Sequence, residues 1–220
     1  MAIKPILFNT EMVRANLEGR KSCTRRIVKP QQLIGMLPDK CKNGAPEEFL
    51  KEKKLMFKPY CDMTDAELIM TAYKTPYQTG DILYVRESVW QKTGHYLDVD
   101  GETKAVWCNE FKYVASDEKP ETGWNYSWAK HPSIHMPKEA ARIWLKVTDV
   151  RVERLQDMTD DDAEAEGCFD YTSTALGFPD VWDSTIKKSD LDRYGWDANP
   201  WVWVIEFERC KKPEEDKRCD

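Results

Sequence analysis

Two periodicities alternate along this chain, and they mark its elements before any chemistry is considered. Pro5-Ile6-Leu7-Phe8 is a compact apolar run that predicts a short buried strand. Asn9 or Thr10 then caps a helix reaching about Glu18, with Glu11 in the favourable first turn. Val13 and Leu17, four apart, face its core side, and Gly19 stops it. Ser22 to Val28 is β-like and ends at Lys29-Pro30. Gly80-Asp81 turns into a strand from Ile82 to Trp90. Leu83, Val85, Glu87 and Val89 share one of its faces, and Tyr84, Arg86, Ser88 and Trp90 the other. A hairpin turn at Asp98 to Glu102 returns through Ala105 to Trp107 and on to Phe111 to Val114. Ala141 to Glu153 predicts a long strand with Ile143, Leu145 and Val147 on one face. Val150 and Val152 resume that alternation out of phase, so a bulge is expected at Thr148-Asp149. Trp201, Trp203, Ile205 and Phe207 alternate with Val202, Val204, Glu206 and Glu208, predicting a last strand with one deeply buried face.

Between these runs the pattern is weaker. Residues 31–76, punctuated by Pro38, Gly44, Pro46 and Pro59, read as an insertion, in which Thr64 and Glu67 form a capping box for a helix around 65–73. Trp124 to Pro137 reads as a Pro-bounded aromatic loop, which either staples the core or offers bases a stacking surface. Thr159 with Asp162 opens another short helix, closed by Gly167. Glu166 stands at the negative end of that helix. It is either an exposed carboxylate of no consequence or a group disposed to carry a proton. Val181 to Leu191 allows a further helix, and 211–220 is a charged tail expected to fray. Together these predict one α+β domain over 1–220, a mixed β-barrel of five or six strands with short flanking helices.

Charge changes the picture locally. The 220-residue chain carries a net −6, which argues against a general duplex-DNA coater, yet residues 1–30 hold seven Lys/Arg against two acids. Four of those cations, Arg20, Lys21, Arg25 and Arg26, flank Ser22, Cys23 and Thr24. Gly19-Arg20-Lys21 is also what an ordinary helix stop looks like, but such a stop has no need of Thr24-Arg25-Arg26. The alternative is a local anion site. Arg86 and Glu87, inside an apolar strand, either protect a sheet edge or line a pocket. No run approaches the roughly 18 apolar residues of a membrane span, and the N-terminal apolar stretch is too short for a secretory signal. A cytoplasmic protein is expected. Its seven scattered cysteines, without a Cys-x-x-Cys pair, fit reduced thiols. His131 and His135 are separated and flanked by prolines, so no metal site is expected. Nor does any Gly-rich phosphate loop or nucleophile elbow point to a cofactor or a hydrolase triad.

Four segments taken together resemble a known family: Leu17-Glu18-Gly19-Arg20-Lys21-x-x-Thr24-x-Arg26, Gly80-Asp81-Ile82-Leu83-x-Val85-Arg86-Glu87, Asp162-Ala163-x-Ala165-Glu166-Gly167, and the strand Val202 to Phe207. In order and spacing they resemble the ASCH domains of the PUA-like superfamily. Thr24-Arg25-Arg26, Pro132 to Pro137 and Asn199-Pro200-Trp201 are similar to the longer ASCH proteins common in phages and prophages. The resemblance implies a PUA-like β-barrel whose cleft beside the first helix is used on RNA or nucleosides, with no cofactor. A small member of the family, N(4)-acetylcytidine amidohydrolase, carries a Lys-x-x-Thr motif and a downstream Glu, which Lys21, Thr24 and Glu166 match. By that resemblance Thr24 is the nucleophile or its hydroxyl anchor, Lys21 the base, and Glu166 the proton shuttle. Arg20, Arg25, Arg26, Arg86 and Glu87 then line the substrate site, with Arg26 and Arg86 holding an oxyanion or a sugar-phosphate. A binding module without chemistry, or a ribonuclease of the same fold, is compatible with the same residues. That enzyme is roughly half this length, so the resemblance leaves the insertions without a counterpart.

Overall fold

A computed structural model of the chain describes residues 1–29, 64–97, 99–168 and 177–214. In chain order its elements are β1 (Ile3–Leu7), α1 (Thr10–Leu17), β2 (Cys23–Ile27), α2 (Asp65–Ala72), β3 (Ile82–Arg86), β4 (Val89–Leu97), β5 (Thr103–Tyr113), β6 (Tyr126–His131), β7 (Trp144–Arg154), α3 (Asp160–Ala165), α4 (Phe178–Ser184), α5 (Leu191–Tyr194) and β8 (Trp201–Cys210). The fold is mixed α+β, with a five-stranded sheet of order β1-β3-β7-β8-β2 and a three-stranded sheet of order β5-β4-β6. The expected five or six strands are eight among the described residues, and neither strand order closes on itself. None of the described helices is long and apolar enough to cross a membrane. The chain forms two compact units, residues 1–21, 80–146 and 208–220 in the first and 22–79 and 147–207 in the second. Most of the 31–76 segment, Cys41, Cys61, Cys219 and the end of the tail lie outside the described residues.

In the first unit β1 and β3 are parallel, Ile3 opposite Ile82 through Leu7 opposite Arg86. Asn9 caps α1 by accepting the Met12 amide at 2.8 Å, satisfying one of the orphan donors at the helix start. Val13 is fully buried as expected, while Leu17 is only half-buried and Ala15 and Asn16 take the core side beside Val13. Gly19 has φ +78°, the left-handed conformation that ends helices. The strand expected to run from Ile82 to Trp90 is broken at Glu87-Ser88 into β3 and β4. Its face alternation survives the break: Leu83, Val85, Glu87 and Val89 are all buried. The segment read as an aromatic loop contains strand β6, antiparallel to β4.

In the second unit β2 lies antiparallel to β8, from Cys23 opposite Glu206 to Ile27 opposite Val202. Residues 201–205 of β8 are all buried, so the expected one-sided burial is instead burial of both faces. Thr148 and Asp149 are consecutive exposed positions on β7, where the phase slip was expected. Both capping boxes form: Thr64 with Glu67 opens α2, and Thr159 with Asp162 opens α3. Leu155, Met158, Ala163, Phe178, Trp182, Val202 and Val204 pack as one core cluster, fixing α3 and α4 against β8.

Candidate functional site

Because β2 is a strand, its cationic run is divided between two faces. Cys23, Arg25 and Ile27 point one way, paired across to Glu206, Val204 and Val202. Thr24 and Arg26 point the other way, opposite Ile205 and Trp203. The two arginines, adjacent in sequence, therefore face different surroundings.

Arg25 is enclosed by carboxylates. Its Nε and Nη2 donate to Glu153 Oε1 at 3.1 and 2.6 Å, and Nη2 lies 3.2 Å from Asp162 Oδ1. Nη1 is 3.6 Å from Glu166 Oε1 and 3.8 Å from the Cys23 thiol. The guanidinium is wholly buried. Burial alone lowers its pKa, but Glu166, Cys23 and Glu153 outweigh burial and raise it above the ordinary guanidinium range. A desolvated cation is tolerated here because several acceptors share it. The network extends outward through Arg151, which donates to Glu206 and Glu153. It also locks α3 to β2, a junction completed by the Ser22 amide donating to the Ala165 carbonyl at 2.8 Å.

The opposite face is differently furnished. Thr24 is completely buried, and its Oγ1 has no hydrogen-bond partner among the described residues. Arg26 is half-buried, with Nη1 donating to its neighbour's carbonyl at 3.1 Å. Burial pushes the Arg26 pKa down, against the charge of Glu166 and the oxygen of Tyr77. Burial also raises the Tyr77 hydroxyl, which Arg26 partly offsets. Glu166 is the carboxyl-terminal cap of α3, nearly buried, and followed by Gly167 at φ +90°. Its charge acts on both arginines.

In the first unit Lys21 is nearly buried, with Nζ over the Phe8 ring at 5.5 Å. Asn16 donates to the Lys21 carbonyl at 3.3 Å, and its own Oδ1 is buried with no hydrogen-bond partner among the described residues. Arg20 pairs with Glu18, its Nε donating at 2.7 Å. Arg86 donates to the carbonyls of Met136, at 2.9 Å, and Ile134. Glu87 is gripped by Arg142 through two bonds of 2.8 and 2.9 Å. A ligand reaching Arg20, Arg86 or Glu87 has to displace these partners.

The second unit thus couples Arg25 and Arg26 to the charge of Glu166, and Thr24 shares the β2 face of Arg26. Sequence reasoning missed Glu153, Asp162 and Tyr77 as partners of these arginines, and Asn16 beside Lys21. Asn16 carried a usable signal, a polar side chain three residues after the core-facing Val13 on α1. Glu153 and Tyr77 carried none, being 128 and 51 residues from their arginine partners.

No family model and no curated protein matches this chain. Its structure is similar to that of an ASCH domain from Lactobacillus crispatus, at 11% sequence identity and a TM-score of 0.42, covering 94% of this chain and 79% of the other. A likeness that slight carries neither fold nor function across.

Proposed function

We propose that this chain is an ASCH-type, PUA-like protein acting on RNA or nucleosides, and that it hydrolyses the amide of an acylated cytosine nucleoside. One observation carries the reading: the Thr24 hydroxyl, buried with no hydrogen-bond partner among the described residues, shares its face of β2 with Arg26. A buried hydroxyl left unpaired costs about 1–3 kcal/mol, and such groups are retained where a substrate completes them. Glu166, a nearly buried carboxyl aligned by Arg25, and Lys21, nearly buried three residues before Thr24, supply the remaining residue types.

In the proposed reaction Thr24 Oγ1 bonds to the acyl carbon while its proton passes to the base, the role proposed for Lys21. The carbon–nitrogen bond then breaks as the Glu166 carboxyl protonates the departing exocyclic amine. Water then attacks the acyl carbon, giving a proton back to Glu166 while the proton held by the base returns to Thr24 Oγ1, so that the carboxylic acid leaves and all three groups are restored. Arg26 orients the carbonyl oxygen or the sugar, and Arg25 holds Glu166 without touching substrate. Incubation with N(4)-acetylcytidine should yield cytidine and acetate, and Thr24→Val and Glu166→Gln should each abolish the yield. Turnover no greater than that of Lys21→Ala, across several acyl groups, sinks the hydrolase reading.

A further inference from the structure

The three-stranded sheet of the first unit has aromatic side chains on both faces, and the core needs only one of them. Val89, Phe111 and Tyr113 point to the face that packs with Met136, Ala141 and Trp144. Strand register puts Trp90, Lys112 and Lys130 together on the other face, where Lys92 and Trp128 are also paired. Tyr126, opposite Gly94, completes this second set. Rings and ammonium groups interleave there. Lys92 Nζ lies 4.9 Å from the Tyr126 centroid and 5.9 Å from that of Trp128, Lys112 is 5.4 Å from Trp128, and Lys130 is 5.7 Å from Trp90. Lys112 and Lys130 are exposed, while the three rings are half-buried. Glu110 enters the group by its 2.8 Å ion pair to Lys92, leaving three ammonium groups against one carboxylate on a chain of net −6.

We propose that this face, carrying Trp90, Lys92, Lys112, Tyr126, Trp128 and Lys130, binds a single-stranded polynucleotide. Each ring takes a base, and the lysine that covers it in the free protein swings to the adjacent phosphate. The chemistry selects this occupant. Lysine is depleted from protein–protein interfaces, whereas stacked rings beside mobile cations serve bases and phosphates together. Positions 126 and 128 stand about 7 Å apart along β6, so each ring can serve a separate base. None of these residues takes part in the reaction proposed above, so binding and turnover can fail independently.

The test is fluorescence anisotropy on the full chain, with labelled oligo(U) and oligo(dT) of about 12 nucleotides. Three phosphate contacts predict that affinity falls about 20-fold between about 50 and 200 mM salt. In the Lys112→Gln/Lys130→Gln double variant, which alters only exposed side chains, that drop shrinks to about threefold. Trp128→Ala weakens binding about 5- to 100-fold. Glu110→Gln, which frees Lys92 and removes a carboxylate, tightens it about two- to fivefold. Preference for oligo(U) identifies RNA as the occupant and preference for oligo(dT) identifies DNA; either supports the proposal. It is overturned by absence of salt-sensitive binding to both, by full binding in Trp128→Ala, or by an unchanged salt response in the lysine double variant. Equal competition by polyglutamate also overturns it, since a plain cationic patch then suffices.

Discussion

Arg25 and Lys130 are both cations on β-strands, and the protein treats them in opposite ways. Arg25 is sealed from water and divided among Glu153, Asp162 and Glu166. Lys130 stays exposed and rests over an indole. The first arrangement is a structural joint. Its charge is spent inside the protein, and what it offers chemistry is the orientation of Glu166. The second keeps its charge deliverable, because an ammonium over a ring at the surface gives up little on leaving it. The difference shows that cation density along a sequence does not locate an anion site. Of the seven cations in residues 1–30, Lys4, Arg14, Arg20 and Arg25 each have an acidic ion-pair partner.

The comparison breaks most readily at Arg25. Arg25→Ala leaves three carboxylates facing one another around a vacated space, and should lower unfolding free energy by about 3–5 kcal/mol in urea titrations. A loss below about 1 kcal/mol reduces the joint to a surface pair.

A smaller effect comes from the other end of the same network. Burial alone raises the Asp162 pKa, but hydrogen bonds from the Thr159 amide and hydroxyl, together with Arg25, hold it below the usual carboxylate range. A depressed native pKa gives stability that is complete above the unfolded value of about 4 and lost as pH falls through the native one. Asp162→Asn should cost about 0.5–2 kcal/mol at neutral pH through the weakened cap, and should flatten the decline of stability below about pH 4. Urea midpoints measured across that range check both, and an unaltered acid slope would remove Asp162 from the network.

Local signals were legible in the sequence, and partnerships were not. Both capping boxes and the Gly19 stop depend on residues three or four apart, and all three formed as read. The break at Glu87-Ser88 was hidden because its surroundings, Arg142 gripping Glu87 and the Met136 sulfur accepting the Glu87 amide, come from about 50 residues away. Strand β6 was missed for a different reason. Its aromatic and proline content suggested a loop, although Tyr126, Trp128 and Lys130 alternate with Ser127, Ala129 and His131 at the period of a strand. The same period, applied to Thr24-Arg25-Arg26, separates the two arginines without any structure. The mates of Arg25 lie on β7 and α3, beyond the reach of any pattern read along β2.

Thr24 sharpens the contrast between a group spent on the fold and one held for a ligand. Thr24→Val keeps the shape, removes a buried hydroxyl that has no partner among the described residues, and should stabilise the protein by about 1 kcal/mol. The same substitution should end deacylation. Gain in one measurement and loss in the other is the mark of a group kept for function at the expense of stability. Destabilisation with activity intact assigns the hydroxyl to the fold instead.

The smallest expected effect lies at the other pole. Lys112 and Lys130 are exposed, and each contacts a ring from the solvent side. Removing both charges leaves the rings, the strand pairing and the opposite apolar face untouched, so Lys112→Gln/Lys130→Gln should change unfolding free energy by less than about 1 kcal/mol. Exposed cation–π contacts are worth about 0.5–1 kcal/mol each, and glutamine recovers part of that by lying over the same ring. A loss above about 2 kcal/mol would make these lysines structural, as Arg25 is, and would erase the distinction between the two regions. If stability holds while the salt response of binding collapses, the charge on this sheet is maintained for something outside the chain.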